Sequence, residues 1–421
     1  MSKVYDVIVV GGGPAGLMAA KTAAENGLTV LLVEQKQKIS KVGRCCASMF
    51  ILDPGFHGEF VRIEEKRIVF PRYDFSINYS GEWVDLTRSI RISPSGYTLT
   101  LGNGKHVFAK VIEKEVLLEG LLNEALNSGV EIRKGTIGIG AKNTNDGTKV
   151  QLKTPDGNEE VKGRITIAAD GIRSRIAASL GLNKERKLFG TGSVVSYMLE
   201  GVECPYPNAW IRLMGSEFKG LGYMIPKPPK NKGEPPLYEV MAPSKELLEK
   251  IIHKGRYSSW FKNSRVVRRR AASVPLYTPI LEPVIGKIMV ISDAAAWQEV
   301  EIQGALMCGY YAAQTATQEL EKGNALQRYT HFWNCSFEFC WPGLVEKSMK
   351  FFHMHGRLFN DEELDYIYKL LENDEIPGTV NHYKAGIYEV EAYMRHIDQI
   401  TKDKPNLAKK IKELERLCKY Q

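Results

Sequence analysis

Two short apolar runs enclose an alanine-rich stretch at the start of the chain. The first run, Val7–Val10, ends in glycines, and the second, Leu31–Val33, ends in an acid. Between them, Leu17–Ala24 is small and apolar at helical spacing and stops at an Asn-Gly turn. This order of patterns predicts a β-strand, a helix and a second, parallel β-strand.

The hydrophobic pattern further along predicts more of the same sheet. Leucines 117, 118, 121, 122 and 126 give residues 113–127 one helical face, and a strand is expected from Gly129. Pro155–Gly157 predicts a hairpin turn, and Arg164–Ala169 has the composition of a buried parallel strand. The segment Gly135–Gly140 has no following helix, and we interpret it as a turn.

Other parts of the chain have a different pattern. Residues 60–110 and 186–280 alternate polar and apolar positions between Gly and Pro turns, which predicts strands and a second, largely antiparallel sheet. Within the second region a helix is expected near residues 244–254. From about residue 325 the pattern is mostly helical to the end.

The glycines after the first strand give the opening unit its chemistry. They are spaced Gly-x-Gly-x-x-Gly: Gly11 permits a tight turn, Gly13 lets the backbone approach a pyrophosphate, and Gly16 lets the helix pack closely on the strand. The helix N-terminus offers free N–H groups to phosphates. Glu34 ends the second strand, where a carboxylate accepts hydrogen bonds from ribose hydroxyls and disfavours a 2′-phosphate.

Two later motifs decide which dinucleotide is expected. Asp170-Gly171-x-x-Ser174 and Asp293-Ala-Ala each follow an apolar strand, and Ser174 is placed to cap the next helix. A strand that ends in Asp brings a carboxylate and adjacent N–H groups to a ribityl chain and a pyrophosphate. One glycine fingerprint with two late Asp motifs predicts bound FAD rather than a separate NAD domain.

The composition indicates an ordinary globular protein and gives no signature of nucleic-acid binding. The 421 residues are 43% hydrophobic and 25% charged, as in ordinary globular proteins, and the net charge of +8 is no nucleic-acid signature. No run of 18 apolar residues predicts a spanning helix, and the first strand leaves no room for a signal peptide. Seven scattered cysteines without a C-x-x-C pair indicate a reducing cytoplasm, and no metal site is expected.

Together these motifs resemble the FAD-dependent geranylgeranyl reductase family, within the p-hydroxybenzoate-hydroxylase-like flavoproteins. The resemblance covers residues 1–320 and, more loosely, the helical tail. It implies FAD contacts at the two Asp motifs and a cysteine-bearing loop after the first βαβ unit, matched by Cys45 or Cys46. Lys114 stands where the family usually has Arg. Substrate contacts are implied for the aromatic-Pro-Lys motif at Tyr223, Pro226 and Lys227.

These arguments give a set of predicted FAD contacts. They are Gly11, Gly13, Pro14, Ala15, Gly16, Glu34, Gln35, Arg44, Cys45, Lys114, Asp170, Gly171, Ser174, Asp293, Gln303 and Gly304. Arg44 is included because it can clamp an FAD phosphate or an anionic substrate; the alternative is a surface arginine.

The chain departs from the family at the flavin-facing loop. Ser292 replaces the usual Gly before Asp293, and a stretch with Glu299 and Glu301 replaces a Pro and a Gly-rich turn. Carboxylates that point inward would oppose an anionic reduced flavin and lower its potential. The alternative is that both face solvent. Glu299 and Glu301 are therefore candidate catalytic residues.

Cys45 and Cys46 are the other catalytic candidates. A disulfide between neighbours in sequence would be strained and is not expected. A thiol near the flavin, a covalent link to flavin or substrate, and a proton donor are the functional interpretations. The alternative is two buried small residues.

The expected fold is α/β: a Rossmann-type FAD-binding domain with an inserted antiparallel β-sheet substrate domain and a helical C-terminal region. The FAD-binding domain is predicted to be discontinuous, over residues 1–65, 105–185 and 283–325. Residues 66–104 and 186–282 form the β-rich substrate domain, and residues 326–421 form the helical region.

The main functional hypothesis is an FAD-dependent oxidoreductase that transfers hydride between flavin N5 and a carbon–carbon double bond. The resemblance implies a hydrophobic, prenyl-like or conjugated substrate. Reducing equivalents must then come from outside, from a ferredoxin-like protein or NAD(P)H. The alternatives are an electron-transfer flavoprotein that serves a partner protein and a flavin-bound subunit without turnover.

Two segments bear on location and partners. Arg265–Arg270 is basic enough to meet phosphate or lipid head groups, and the alternative is a solvated strand edge. The last helix, with apolar residues at 407, 411, 414 and 417, can lie on a membrane or pack on the protein. No nucleic-acid partner is expected, and the location is cytoplasmic or peripheral to a membrane.

Overall fold

The computed structural model describes residues 3–418 apart from residues 219, 230 and 299, and describes only the backbone of residues 351–357. Within these residues no helix is long and apolar enough to cross a membrane.

The first sheet is built from the opening unit and its parallel neighbours. Its strands are β1 (Val4–Val10), β2 (Val30–Glu34), β11 (Glu131–Lys134), β12 (Ile137–Thr144), β13 (Gly147–Thr154), β14 (Gly157–Ala168), β20 (Val284–Ile285) and β21 (Ile288–Val290). The order is β11-β2-β1-β14-β13-β12, and β21 also pairs with β14. The pairings of β1 with β2 and β14, and of β14 with β21, are parallel, so these strands end at one edge. The predicted parallel sheet is confirmed.

Helices α1 (Pro14–Glu25), α2 (Lys114–Asn127), α3 (Arg175–Ser179) and α5 (Glu301–Lys322) accompany this sheet. Small residues allow α1 and α5 to approach closely. A Cβ on Gly309 of α5 would collide with the backbone oxygen of Ala15 on α1. The buried face of α2 contains the leucines at 117, 118, 121 and 122, as the sequence pattern predicts, but the inclusion of Leu126 is wrong, because this residue is 47% exposed.

A second, seven-stranded sheet lies beside the first. Its strands are β8 (Arg88–Ile92), β9 (Thr98–Leu101), β15 (Leu188–Glu200), β16 (Ala209–Leu213), β17 (Gly222–Lys227), β18 (Leu237–Ala242) and β19 (Arg265–Tyr277). The order is β19-β15-β18-β17-β16-β8-β9, antiparallel except between β16 and β8. Helix α4 (Lys245–His253) packs on it through Leu248, Ile251 and Ile252. The predicted antiparallel sheet and its helix are confirmed.

Two three-stranded sheets complete the β structure. They contain β3 (Met49–Ile51), β7 (Trp83–Leu86) and β10 (Ala109–Ile112), and β4 (Arg62–Glu64), β5 (Arg67–Phe70) and β6 (Phe75–Asn78). Ile68, Phe70 and Ile77 belong to the same hydrophobic core as β1, whereas β8 joins the large sheet. The residues of the predicted segment 66–104 are thus shared among four hydrophobic clusters, and the predicted domain boundaries stay a prediction.

The interpretation of Gly135–Gly140 as a turn is wrong beyond its first residues. Gly135 has a φ of +64°, but β12 begins at Ile137 and pairs with β13. Gly138 lies in this strand, where a Cβ would collide with the side chain of Val10. Gly138 therefore allows β12 to lie close to Val10 of β1, which is a known use of Gly inside a sheet.

The C-terminal region is helical, as predicted. It comprises α6 (Gln327–Ser336), α7 (Leu344–Leu358), α8 (Asp361–Leu370), α9 (Ala385–Arg395), α10 (Ile397–Asp403) and α11 (Pro405–Cys418). The side chains of Leu407, Ile411 and Leu414 are at most 1% exposed and pack with α8 and α9. The apolar face of α11 thus packs on the protein itself, which was the alternative to a membrane contact.

A buried ion pair joins the large sheet to the C-terminal helices. Arg91 on β8 and Glu389 on α9 are 2.5 Å apart, and each side chain is 2% exposed. Arg212 on β16, which is half-buried, also interacts electrostatically with Glu389. One carboxylate therefore compensates two guanidinium groups, of which that of Arg91 is buried.

We expect Glu389→Gln to destabilise the protein strongly, because it leaves the buried Arg91 without its counter-charge and removes the same carboxylate from the half-buried Arg212. Breaking a buried pair costs about 3–5 kcal/mol. Urea denaturation followed by circular dichroism measures the loss.

The matched control for this change is Lys250→Gln, which breaks the exposed pair with Glu217. Exposed pairs contribute about 0–1 kcal/mol, so this variant should unfold close to the wild type. Equal midpoints for the Glu389 and Lys250 variants would show that the buried pair does not hold the two layers together.

Candidate functional site

A cleft of about 570 Å³ opens where β1, β2, β14 and β21 end. Such edges of parallel sheets are where ligands bind in open α/β folds. Among the predicted FAD contacts, those that line the cleft are Gly11, Gly13, Pro14, Ala15, Glu34, Gln35, Arg44, Lys114, Asp170, Gly171 and Asp293.

The three fingerprint glycines have distinct surroundings. Gly11 has a φ of +104°, which turns the chain out of β1, and its N–H donates to the oxygen of Val33 at 2.8 Å. A Cβ on Gly16 would collide with the oxygen of Gly11, so Gly16 lies in the packing and not on the cleft surface. A Cβ on Gly13 would meet no atom within 4 Å. Gly13 is therefore the position where the cleft reaches bare backbone.

Glu34 is fixed at one end of the cleft. Its side chain is 6% exposed, and its two carboxylate oxygens accept hydrogen bonds from the N–H groups of Gly12, at 2.6 Å, and Lys36, at 2.9 Å. Each oxygen keeps a further lone pair for a hydroxyl donor. This arrangement suits the ribose contact that the sequence predicts.

Basic side chains line the cleft beside the glycines. They come from three segments of the chain and are Lys36, Lys41, Arg44, Lys114, Arg173 and Arg175. Sequence reasoning missed Lys36, Lys41, Arg173 and Arg175, although the two arginines stand directly after the Asp170-Gly171 motif. Desolvation lowers the pKa of Lys36.

Asp170 organises the turn after β14. It accepts hydrogen bonds from the Ser174 hydroxyl at 2.6 Å and from the Arg175 N–H at 2.8 Å. The Ser174 Oγ in turn accepts from the Ala177 N–H at 2.8 Å, which confirms the predicted helix cap. Burial raises the pKa of Asp170. Ser174 thus acts behind Asp170 rather than on the cleft surface.

Asp293 organises the loop at the opposite end of the cleft. Its Oδ1 accepts from the Val300 N–H at 3.0 Å, and its Oδ2 lies 3.6 Å from a guanidinium nitrogen of Arg44. The loop leads to Glu301, which has a φ of +57° at the start of α5 and lines the cleft. Glu299, the other predicted carboxylate, lies outside the described residues.

The neighbouring cysteines have different surroundings. Cys46 lines the cleft, with the Lys114 Nζ 3.7 Å from its Sγ. Cys45 faces away into a hydrophobic cluster and is 5% exposed. Burial raises the pKa of the Cys45 thiol to about 11. Of the two, only Cys46 meets the cleft.

The remaining predicted contacts lie off the cleft surface. Gln303 is fully buried and accepts from the Ile51 N–H at 2.8 Å, and a Cβ on Gly304 would approach His57 at 3.1 Å. On β17, the Tyr223 hydroxyl donates to the oxygen of Gly220 at 2.8 Å. Pro226, also on β17, is buried. Their roles toward cofactor or substrate stay predictions.

Lys227 is the member of the predicted substrate motif that comes near the cysteines. Its Nζ donates to the oxygens of Cys46 and Ala47, at 2.6 Å each, and lies 3.3 Å from a carboxylate oxygen of Glu239. Glu239 is fully buried. This interaction anchors the cysteine segment to the large sheet.

The residues present fit an FAD molecule. The cleft volume is within the roughly 300–1,000 Å³ of small-molecule sites, and it has a carboxylate at each end. The bare backbone at Gly13, the N-terminus of α1 and the basic side chains suit a pyrophosphate between them.

Comparison with known proteins supports this assignment. The family described as FAD dependent oxidoreductase matches residues 6–172. That range holds the glycine fingerprint, the cysteine segment and the Asp170-Gly171 motif.

Relatives resemble the chain over nearly its whole length. The digeranylgeranylglycerophospholipid reductase of Methanocaldococcus jannaschii is 26% identical over 98% of this chain and 99% of its own. The reductase of the same name from Methanococcus vannielii is 25% identical over the same shares.

Solved structures share the fold. A geranylgeranyl bacteriochlorophyll reductase-like protein from Thermoplasma acidophilum has a TM-score of 0.67 and 19% identity, covering 98% of this chain and 100% of its own. The flavin-dependent monooxygenase PieE, solved with FAD and substrate, has a TM-score of 0.61 and 14% identity, covering 94% of this chain and 72% of its own.

We expect Gly13→Ala to weaken FAD binding without unfolding the protein. The added methyl group meets no protein atom but occupies the space where the pyrophosphate must approach. The Kd for FAD should rise at least about 10-fold, or 1.4 kcal/mol. Flavin fluorescence quenching on titration of the apoprotein measures it.

Gly192→Ala is the matched control, since a Cβ there also meets nothing within 4 Å and Gly192 does not line the cleft. It should bind FAD like the wild type. Unchanged affinity in the Gly13 variant would contradict the assignment of the pyrophosphate to this turn.

We also expect the two neighbouring cysteines to differ in alkylation by iodoacetamide. With a pKa of about 11, the Cys45 thiol is about one part in a thousand thiolate at pH 8, and it is buried. Cys46 should react in the apoprotein and be protected by FAD, whereas the exposed Cys335 should react in both forms. Peptide mass spectrometry distinguishes the sites, and labelling of Cys45 ahead of Cys46 would contradict the structure.

Proposed function

We propose that the protein is an FAD-dependent oxidoreductase of the geranylgeranyl reductase family that reduces carbon–carbon double bonds in a prenyl lipid. The relatives that match along the whole chain carry the name digeranylgeranylglycerophospholipid reductase, which supports a substrate of this class. When bound, FAD supplies hydride transfer at its N5 atom.

The proposal rests on one observation: a strand of the large sheet forms part of the wall of the cleft. Ala271–Ser273 of β19 line the cleft together with Ile302 and Ala305 of α5. Apart from the Ser273 hydroxyl, which accepts a hydrogen bond from Arg173, these side chains are apolar and offer contact to a hydrocarbon chain. The glycine end, in contrast, is polar and basic.

Reduction of a double bond adds a hydride to one carbon and a proton to the other. We assign the proton to Cys46, whose thiol lines the cleft beside Lys114. The contacts of Lys227 with the oxygens of Cys46 and Ala47 hold this segment in place.

The electrons are proposed to come from outside the chain. The sequence contains one dinucleotide fingerprint, and the cleft beside it is accounted for by FAD. A ferredoxin-like protein or transiently bound NAD(P)H would then reduce the enzyme between turnovers.

The proposal is tested with the FAD-loaded protein reduced by dithionite under anaerobic conditions. Mixing with a geranylgeranyl lipid should re-oxidise the flavin, and mass spectrometry should show one added pair of hydrogens per reduced double bond. Re-oxidation by a redox protein but not by the lipid would overturn the proposal in favour of an electron-transfer flavoprotein.

Cys46→Ala should lower the rate of lipid reduction by about 100-fold or more, because loss of a general acid typically costs 10²–10⁴. FAD affinity should change little. Cys335→Ala, at an exposed cysteine, is the control and should keep full activity. If the Cys46 variant stays fully active, the assignment of the proton to Cys46 is wrong, and the donor is solvent or another side chain.

A further inference from the structure

A second cavity, of about 220 Å³, lies next to the FAD cleft. Val42 and Lys114 line both, so the two spaces are neighbours. The second cavity is also lined by Arg268 and Arg270 of β19 and by Lys227 at the end of β17. Glu113 and Glu115 line it too, so four basic side chains outnumber two carboxylates there.

Of the basic side chains that line this cavity, Arg270 is the one with an incomplete set of hydrogen bonds. Arg268 is paired with Glu115 at 2.7 Å, and Lys227 is ion-paired with Glu239 and donates to two backbone oxygens. Arg270 is 8% exposed and lies 3.8 Å from the same Glu239. Its buried Nε has no hydrogen-bond partner.

The remaining wall of the cavity is the N-terminus of α2. Glu113 is the N-cap residue, but its side chain makes no capping hydrogen bond. Burial raises the pKa of Glu113, so its negative charge is disfavoured. The free N–H groups of the first turn, with Lys114 and Arg270, therefore favour an anion.

We propose that this second cavity binds the phosphate of the lipid substrate, which places the attached prenyl chain beside Cys46. The assignment rests on the proposed function, because it takes the substrate to be a prenyl lipid. The volume is below the roughly 300–1,000 Å³ of sites that enclose a drug-sized ligand, so it suits a head group and not a whole lipid.

The first test measures binding without turnover. Inorganic pyrophosphate is titrated calorimetrically into the FAD-loaded protein, whose own pyrophosphate site is then filled. Arg270→Gln should weaken binding about 10-fold, since a charge-assisted hydrogen bond is lost. Arg270→Lys, which keeps the charge, should recover part of the affinity.

Arg269→Gln is the matched control on the same strand. Arg269 lies over the ring of Tyr197, 5.1 Å from its centre, and does not line the cavity. It should bind pyrophosphate like the wild type. Equal affinity for pyrophosphate in the wild type and the Arg270→Gln variant, with FAD retained in both, would overturn the proposal.

The second test identifies the source of the phosphate. Arg270→Gln should raise the KM of a prenyl diphosphate about 10-fold with little change in kcat, and leave the KM of the matching prenyl alcohol unchanged. If pyrophosphate competes with NAD(P)H and not with the prenyl diphosphate, the cavity serves the electron donor and the lipid assignment is overturned. Arg270-dependent pyrophosphate binding by a protein that reduces no prenyl lipid would instead overturn the proposed function while leaving the anion site in place.

Discussion

A backbone contact between α1 and the turn after β1 sets the geometry on which the cleft depends. Gly16 lies against the oxygen of Gly11, so any side chain at position 16 would push the helix away from the sheet. The contact brings the α1 N-terminus to the edge where β1, β2 and β14 end. This approach leaves the bare backbone of Gly13 at the cleft, and the N–H of Gly12 in the same turn donates to the carboxylate of Glu34.

Much of the fold and part of the site can be predicted from the sequence, because they depend on local pattern. The glycine spacing, the α2 leucines and the Ser174 cap each involve residues that are close together in the sequence. What escaped prediction depends on packing between distant segments. Nothing local distinguishes Cys45 from Cys46, yet one enters a hydrophobic cluster and the other the cleft. The sequence indicates a turn at Gly138, whereas the structure shows a strand residue that packs against Val10.

The sequence identifies the motif that contains Lys227, but it does not predict what the side chain of Lys227 contacts. The sequence indicates a substrate contact, but the ammonium group is directed at Cys46, Ala47 and Glu239. Two of its donors bind the backbone oxygens of Cys46 and Ala47, and the ammonium group is also ion-paired with Glu239. Its first effect is therefore to position the cysteine segment. Because Lys227 and Glu239 are both buried, removal of either side chain would leave the other charge unpaired in the interior, at a cost of about 3–5 kcal/mol.

The unconventional loop after β21 is held from both sides. Ser292 and Glu301 have φ values of +59° and +57°, a conformation that glycine adopts without strain and other residues at a cost of about 1–3 kcal/mol. Asp293 closes the loop by accepting from the Val300 N–H, and Gln298 is 3.0 Å from a ring nitrogen of His382 in the C-terminal region. Desolvation lowers the pKa of His382 to about 4, so this ring stays neutral near pH 7. A neutral imidazole keeps one acceptor for the amide, and the C-terminal region thereby stabilises the loop after β21.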